Sequence, residues 1–264
     1  MVTTPLLIVA CTGAEPVREC PEVMVGSFID IPSGELRSEN YPLYPEERQI
    51  NGQRIKGFLL QVHEVTNAQF AEFVAETGYV TDAEKHLDAP DSGSALFHLP
   101  TDEQSGYWSL SKGVSWKTAG GAADRSLQWD QHPAVHVSYN DALAYAAWVG
   151  GRLPTELEWE YAAQLGLADQ NDSASGAYLA DGTPIANTWQ GVFPVIDSGV
   201  DGFTTTAPVG CYPPSKIGLL DMLGNVWEWT STPFESNAQA YTIKGGSFLR
   251  ANNCCMRSRP GARQ

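Results

Sequence analysis

Residues 218–230 read GLLDMLGNVWEWT. The last five, Val226 to Thr230, alternate with a period of two, as a half-buried strand does. The residues before them contain Gly224-Asn225, ordinary turn chemistry, so this strand is entered from an irregular loop and not from a tight hairpin. Much of the chain is written the same way, in short alternating runs separated by long stretches rich in Gly, Pro, Asn, Asp and aromatic residues. Residues 86–131 and 167–215 hold few periodic signals. They are too apolar and aromatic for disordered linkers, and are expected to be ordered loops folded onto one core.

Three segments depart from that style, each opening with a capping box in which a hydroxyl accepts from the first turn. TNAQFAEFVAETG starts at Thr66 with Gln69 three later, places Phe70, Phe73 and Val74 on one face, and stops at Gly78. SYNDALAYAAWVGG starts at Ser138 with Asp141, shows Ala142, Tyr145, Ala146 and Val149, and stops at Gly150. TELEWEYAAQLG starts at Thr155 with Glu158, shows Leu157, Tyr161 and Leu165, and stops at Gly166. The helix Asp and Glu residues are expected to form solvated faces. The fold class is α+β, with no internal boundary or repeat.

A net charge of -15 disfavours DNA, RNA and anionic lipid as partners, because phosphates need a basic surface. Five cysteines, Cys11, Cys20, Cys211, Cys254 and Cys255, show no zinc spacing and no dense disulfide framework. The opening MVTTPLLIVACTG is a short apolar run ending at Ala10-Cys11, like the lipobox of a bacterial lipoprotein. Residues 1–22 thus read as a lipoprotein-signal-like segment or a plain tail, and residues 23–264 as the domain. The first reading puts a lipid anchor on Cys11, the only membrane link expected, and the chain outside the cytoplasm of a bacterium; the second leaves the cytoplasm open.

HEVTNAQFAEFVAETGYVTDAEK, HPAVHVSYNDALAYAAWVGGRLPTELEWEYAA, ANTWQGVFPVIDSGVDGFTTTAPVG, GLLDMLGNVWEWT and KGGSF occur in this order. Together they resemble the formylglycine-generating enzyme, or sulfatase-modifying factor, family from about Val23 to Gln264. The resemblance implies a variant of the C-type lectin fold with a twisted antiparallel core and a few helices. It also implies an oxidoreductase that converts the cysteine of a CxPxR motif in an unfolded sulfatase polypeptide to formylglycine with O₂ and Cu(I). In that family the copper lies between two cysteine thiolates, soft ligands suited to Cu(I), and the substrate cysteine joins them. The site serine and tryptophan correspond to Ser247 and Trp227.

The tail departs from the family pattern. The second copper cysteine maps onto Cys255, but the first maps onto Arg250, whose guanidinium cannot ligate Cu(I). Three readings stay open: Cys254 joins Cys255, although successive strand residues face opposite ways; Cys255 and the substrate thiol hold copper alone; or copper is gone and Cys254 is a buried packing residue. The family also continues to a closing strand containing Gly-Phe-Arg, so that strand is expected to be missing after Gln264, leaving an unpaired edge.

Two calcium sites are implied by the same resemblance. The first takes side-chain oxygens of Asn187 and Asp201 with carbonyls of Thr188 and Phe203; the second takes Asp221 and Glu228 with carbonyls of Gly224 and Val226. Mixed carboxylate, amide and carbonyl donors suit Ca²⁺. His132 and His136 lie in an extended, Pro- and Val-rich segment and read as structural. Arg257, Arg259 and Arg263 brace the site or anchor loops. The sequence therefore supports a formylglycine-generating-type oxidoreductase with Cys255, Cys254, Ser247 and Trp227 at its centre, or a catalytically silent ligand- or peptide-binding protein on the same fold.

Overall fold

The three capping boxes form as the sequence specifies. Thr66, Ser138 and Thr155 accept from the backbone N–H of Gln69, Asp141 and Glu158, whose side chains return to the cap N–H, so two otherwise orphaned donors are satisfied at each helix start. The computed structural model describes residues 20–36 (except 22 and 25), 52–85, 93–118, 129–167, 176–234, 240–254 and 258–264. Within these, α1 is Asn67–Thr77, α2 is Tyr139–Trp148 and α3 is Glu156–Gly166. Gly78 ends α1 in the left-handed region. Gly150 lies two residues past α2, and Gly166 is the last residue of α3 rather than its cap.

The strands are short: β1 (Phe28–Ile31), β2 (Gly34–Leu36), β3 (Gln53–Ile55), β4 (Phe58–Gln61), β5 (Ser94–His98), β6 (Tyr107–Ser111), β7 (Gly191–Val192), β8 (Ile196–Asp197), β9 (Glu228–Pro233) and β10 (Tyr241–Lys244). They pair antiparallel as β1–β4, β2–β3, β5–β6, β7–β8 and β9–β10, each a two-stranded sheet among the described residues. The β5–β6 and β7–β8 hairpins fall in stretches expected to be irregular loops. The strand read at Val226–Thr230 instead begins at Glu228, because Val226 and Trp227 belong to the loop that enters it.

Two apolar clusters organise the interior. Ile31, Leu36 and Ile55 pack with Tyr161, Ala162 and Leu219, so α3 lies on the amino-terminal hairpins. Phe70, Phe73, Trp116 and Tyr145 form the second cluster between α1 and α2, with Phe70 stacked on Tyr145 at 5.9 Å. Val149, expected on the buried face of α2, is 41% exposed, since it follows the last helical residue.

The expectation that helix acids face solvent is corrected at three positions. Asp141, Glu156 and Glu160 are buried. Asp141 accepts from Tyr79 Oη and from the backbone of Asp82 and Ser138. Glu156 pairs with Arg263 at 3.2 Å and Glu160 with Lys244 at 3.1 Å. Arg263 also lies over the Phe234 ring, so it anchors the last residues to α3. The Lys244 ammonium is wholly buried, and removing it strands the Glu160 charge in the core. Lys244→Met is expected to lower stability by about 3–5 kcal/mol, read by chemical denaturation, and the double variant Lys244→Met/Glu160→Leu should recover most of that loss.

Candidate functional site

The loop GLLDMLGN builds the centre of the site through backbone conformations that few residues tolerate. Asp221, Gly224 and Asn225 all have positive φ, at 54°, 77° and 51°. A Cβ on Gly224 would stand 2.3 Å from the Asn187 carbonyl oxygen, so glycine is required there by conformation and by contact. Asn225 then serves as a junction. Its side-chain oxygen accepts from Asn187 Nδ2 and Ala207 N, its amide donates to Glu64 Oε2 at 2.7 Å, and its main chain bonds Asn187 and Phe248. Sequence reasoning gave Asn225 no role; the left-handed Gly-Asn pair was the available signal.

The proposed calcium ligands occupy adjoining loops. Asp201 accepts from Tyr212 Oη at 2.8 Å and Phe203 N at 3.1 Å, and Gln190 Nε2 donates both to Asp201 Oδ2 and to the Thr188 carbonyl. A donor with positive partial charge thus sits between two of the first site's oxygens. Asn187 directs its amide to Thr205 O and Asn225. In the second set, Asp221 accepts from Gly210 N at 2.6 Å and Glu228 from Trp159 Nε1 at 3.0 Å. Both sets offer hard oxygen donors in a buried setting, which suits Ca²⁺. Among the described residues no three His, Cys, Asp or Glu side chains converge as a metal cluster, so each set relies on amide and carbonyl oxygens.

Burial dominates the electrostatics of the second set. Burial pushes the Glu228 carboxyl up to about 7, with Asp221 adding to the effect, and burial pushes Asp221 up to about 6. Glu64 is raised well above the usual range by burial and then by the charges of Asp221 and Glu228. Burial also raises Asp201.

The C-terminal segment lies against the same loops. Trp189 N donates to the Arg250 carbonyl at 2.9 Å, and Arg250 N donates to the Ser247 carbonyl at 3.0 Å. The Arg250 guanidinium stacks on Trp227, 4.8 Å from the ring centroid, and Nη2 donates to Gln264 Oε1 at 2.5 Å. Ser247 and Trp227 are half-buried beside it. Cys254 stands in a turn, exposed and disulfide-bonded, which corrects the reading of it as a buried packing thiol. Cys255 and Arg257 lie outside the described residues, as does Cys11. Thus the structure brings Trp227, Ser247 and Arg250 together, and the described residues do not furnish a two-thiolate copper centre.

His132 Nδ1 bonds Thr206 Oγ1 and His136 Nδ1 bonds Ser94 Oγ, each 2.9 Å. Burial lowers both imidazoles below their usual range, and neither joins the site.

Small antiparallel sheets, three capped helices and loop-built oxygen sites define a variant of the C-type lectin fold. Residues 14–264 match the family model described as the sulfatase-modifying factor enzyme 1-like domain, and the chain belongs to that family. It is 38% identical over 281 residues to "Formylglycine-generating enzyme" of Mycobacterium tuberculosis, covering 91% of this chain and 92% of the relative. It is also 38% identical, over a shorter 208 residues, to "Inactive C-alpha-formylglycine-generating enzyme 2" of Bos taurus, covering 74% of this chain and 66% of the relative. Among solved structures, PvdO from Pseudomonas aeruginosa superposes with a TM-score of 0.57 at 20% identity, covering 90% of this chain and 87% of that one.

The raised carboxyls give a pH dependence. Acids that hold protons more tightly when folded stabilise below their unfolded range, near pH 4, and that stability is lost as pH rises to about 7. In EDTA, Tm is expected to fall between pH 5 and pH 8. Calcium at pH 8 should restore it by roughly 4–8 °C, as ~2 kcal/mol does in a chain of this size, and Asp221→Asn should blunt the recovery. A Tm at pH 8 indifferent to calcium would remove the second calcium site.

Proposed function

We propose that this chain is a polypeptide-recognition member of its family that engages an extended, cysteine-containing, sulfatase-type segment and does not carry the two-thiolate copper chemistry of an oxidase. The observation that carries this reading is Arg250, whose guanidinium lies on Trp227 where the resemblance calls for a copper thiolate. A permanent cation neither ligates Cu(I) nor tolerates a second cation beside it.

The surface around it suits an unfolded chain. Phe97 packs at a tilt against Trp108 at 5.2 Å and stacks on Phe193 at 5.3 Å, joining the β5–β6 and β7–β8 hairpins. Leu99, Trp108, Leu110, Val195 and Ile196 are exposed on or beside these hairpins, and exposed apolar side chains gathered on neighbouring elements favour an interaction site. Asn253 bonds both the N–H and the carbonyl of Phe193 at 3.1 Å, tying this ridge to the segment that carries Arg250 and Cys254. Calcium at the two loop sites serves as the structural cofactor in this reading. The Cys20–Cys211 disulfide suits an oxidising, extracytoplasmic setting.

The oxidase itself is the second reading, favoured by 38% identity over nine-tenths of both chains to a relative named for that activity. It needs Cys255 and the substrate thiol to hold copper without a partner at position 250. The two readings separate when the reduced protein and Arg250→Cys are incubated with Cu(I), O₂ and a CxPxR peptide, with peptide binding and product mass both followed. The parent is expected to bind the peptide and leave its cysteine unchanged, while Arg250→Cys gains copper binding and converts it. Conversion by the parent would establish the oxidase instead, and a parent that neither binds nor converts would end the recognition reading.

A further inference from the structure

The β5–β6 hairpin carries its polar and apolar faces in the reverse of the usual order. Its register sets Ala95 opposite Leu110 and Phe97 opposite Trp108, so these four side chains share one face. Ser94 with Ser111, Leu96 with Ser109 and His98 with Tyr107 share the other. The second face is turned to the body of the protein, because Ser94 Oγ bonds His136 Nδ1 at 2.9 Å just ahead of α2. On that face His98 Nε2 bonds Ser109 Oγ at 2.8 Å, and Ser109 Oγ bonds Ser111 Oγ at 2.9 Å. The inward imidazole and hydroxyls thus satisfy one another. The outward face is apolar, with Trp108 61% and Leu110 52% exposed. An antiparallel sheet lying on its own core alternates the other way, apolar inward and polar outward. This hairpin is patterned for a second cover on its outer side.

The apolar surface continues beyond the hairpin. Phe97 stacks on Phe193 at 5.3 Å, and Val192, Val195 and Ile196 beside Phe193 are exposed, as is Leu99 after β5. With roughly 150–250 Å² on a whole aromatic side chain, such exposed fractions add up to several hundred Å² per copy, approaching the ~800 Å² that each partner gives to a standard interface.

Charge decides what covers it. Residues 94–99, 107–111 and 192–196 contain no Asp, Glu, Lys or Arg, in a chain whose net charge is -15. A basic partner would gain most on an acidic face and nothing here. Two copies of this chain repel wherever their acidic surfaces meet, and the uncharged ridge is where they approach without that cost. A surface that is uncharged and apolar is also complementary to itself, as an isologous two-fold contact requires.

We propose that the chain forms a two-fold homodimer in which the apolar faces of two β5–β6 hairpins pack on each other, with Trp108 and Leu110 at the centre and the β7–β8 hairpins at the rim. In the recognition reading above the same ridge takes an extended client, so client and second copy exclude one another. Self-association is measured without peptide, so it stands or falls apart from that reading.

The test is sedimentation equilibrium of the full chain over a range of concentration. A reversible dimer is expected, and raising NaCl from about 50 to about 500 mM should tighten it by screening the acidic surfaces. Trp108→Ser and Leu110→Glu should each weaken the dimer tenfold or more while leaving the Tm of the dilute protein near that of the parent, since both side chains are exposed. Leu143→Glu, at an exposed apolar position on α2, should leave association unchanged. A monomer at every concentration overturns the proposal, as does equal weakening by Leu143→Glu. So does a dimer that survives denaturing, non-reducing electrophoresis, which would be held by a thiol. Trp108-dependent flotation on phosphatidylcholine vesicles by a chain that stays monomeric would make a neutral lipid surface the cover instead.

Discussion

A single asparagine side chain holds the irregular half of this molecule together. Asn225 uses its amide and carbonyl to bond Asn187, Ala207 and Glu64, and its backbone to bond Asn187 and Phe248. These partners come from four separate stretches of chain, and the bond to Glu64 spans 161 residues. Loops without ladders must satisfy their buried polar groups one by one. A fully buried residue with both donors and acceptors in place does so for several loops at once. The candidate calcium oxygens, the Trp227 ring and the turn carrying Ser247 all take their positions from this junction.

The helices were legible because their signals are local. A hydroxyl, an acid or amide three residues later, and an apolar stripe specify Thr66, Ser138 and Thr155 as caps without reference to the rest of the chain. The junction at Asn225 was not legible, since its partners are distant and an Asn after a Gly looks like any turn. The burial of Glu156 and Glu160 was hidden for the same reason. Their cations, Arg263 and Lys244, come from the far end of the chain, and an acid at a helical position reads as solvated until its partner is placed. The β5–β6 hairpin escaped because Ser94–His98 and Tyr107–Ser111 are joined by eight residues without a tight-turn signature. Their pairing rests on ring contacts such as Phe97 on Trp108.

At the candidate site, the sequence pointed to Arg250 as a substitution but not to the form that it takes. Arg250 was visible as a break in a cysteine pattern. The structure adds that the guanidinium has a place of its own, on the Trp227 face with Gln264 as a hydrogen-bond partner. A cation on an aromatic ring gains electrostatic attraction and packing together. The replacement is thus integrated into the local fold and is more than an absent thiol. The family comparisons fit either outcome, because relatives at the same identity carry names for an active enzyme and for an inactive one.

The Cys20–Cys211 bond has a mechanical meaning. It joins residues 191 apart in sequence, beside Phe203 and Tyr212, so the polypeptide between them is a covalently closed ring. A load applied across the two chain ends enters at Cys20, crosses the sulfur bridge and leaves from Cys211. The β1–β4 ladder, all three helices and the hairpins of residues 94–111 and 191–197 lie off that path. Tension would be felt instead by the segment from Cys211 onward, which contains the Asp221 loop, β9, β10 and Arg250. The candidate site is thereby divided: Asp221, Glu228 and Arg250 lie on the loaded segment, whereas Asn187 and Asp201 lie inside the closed ring.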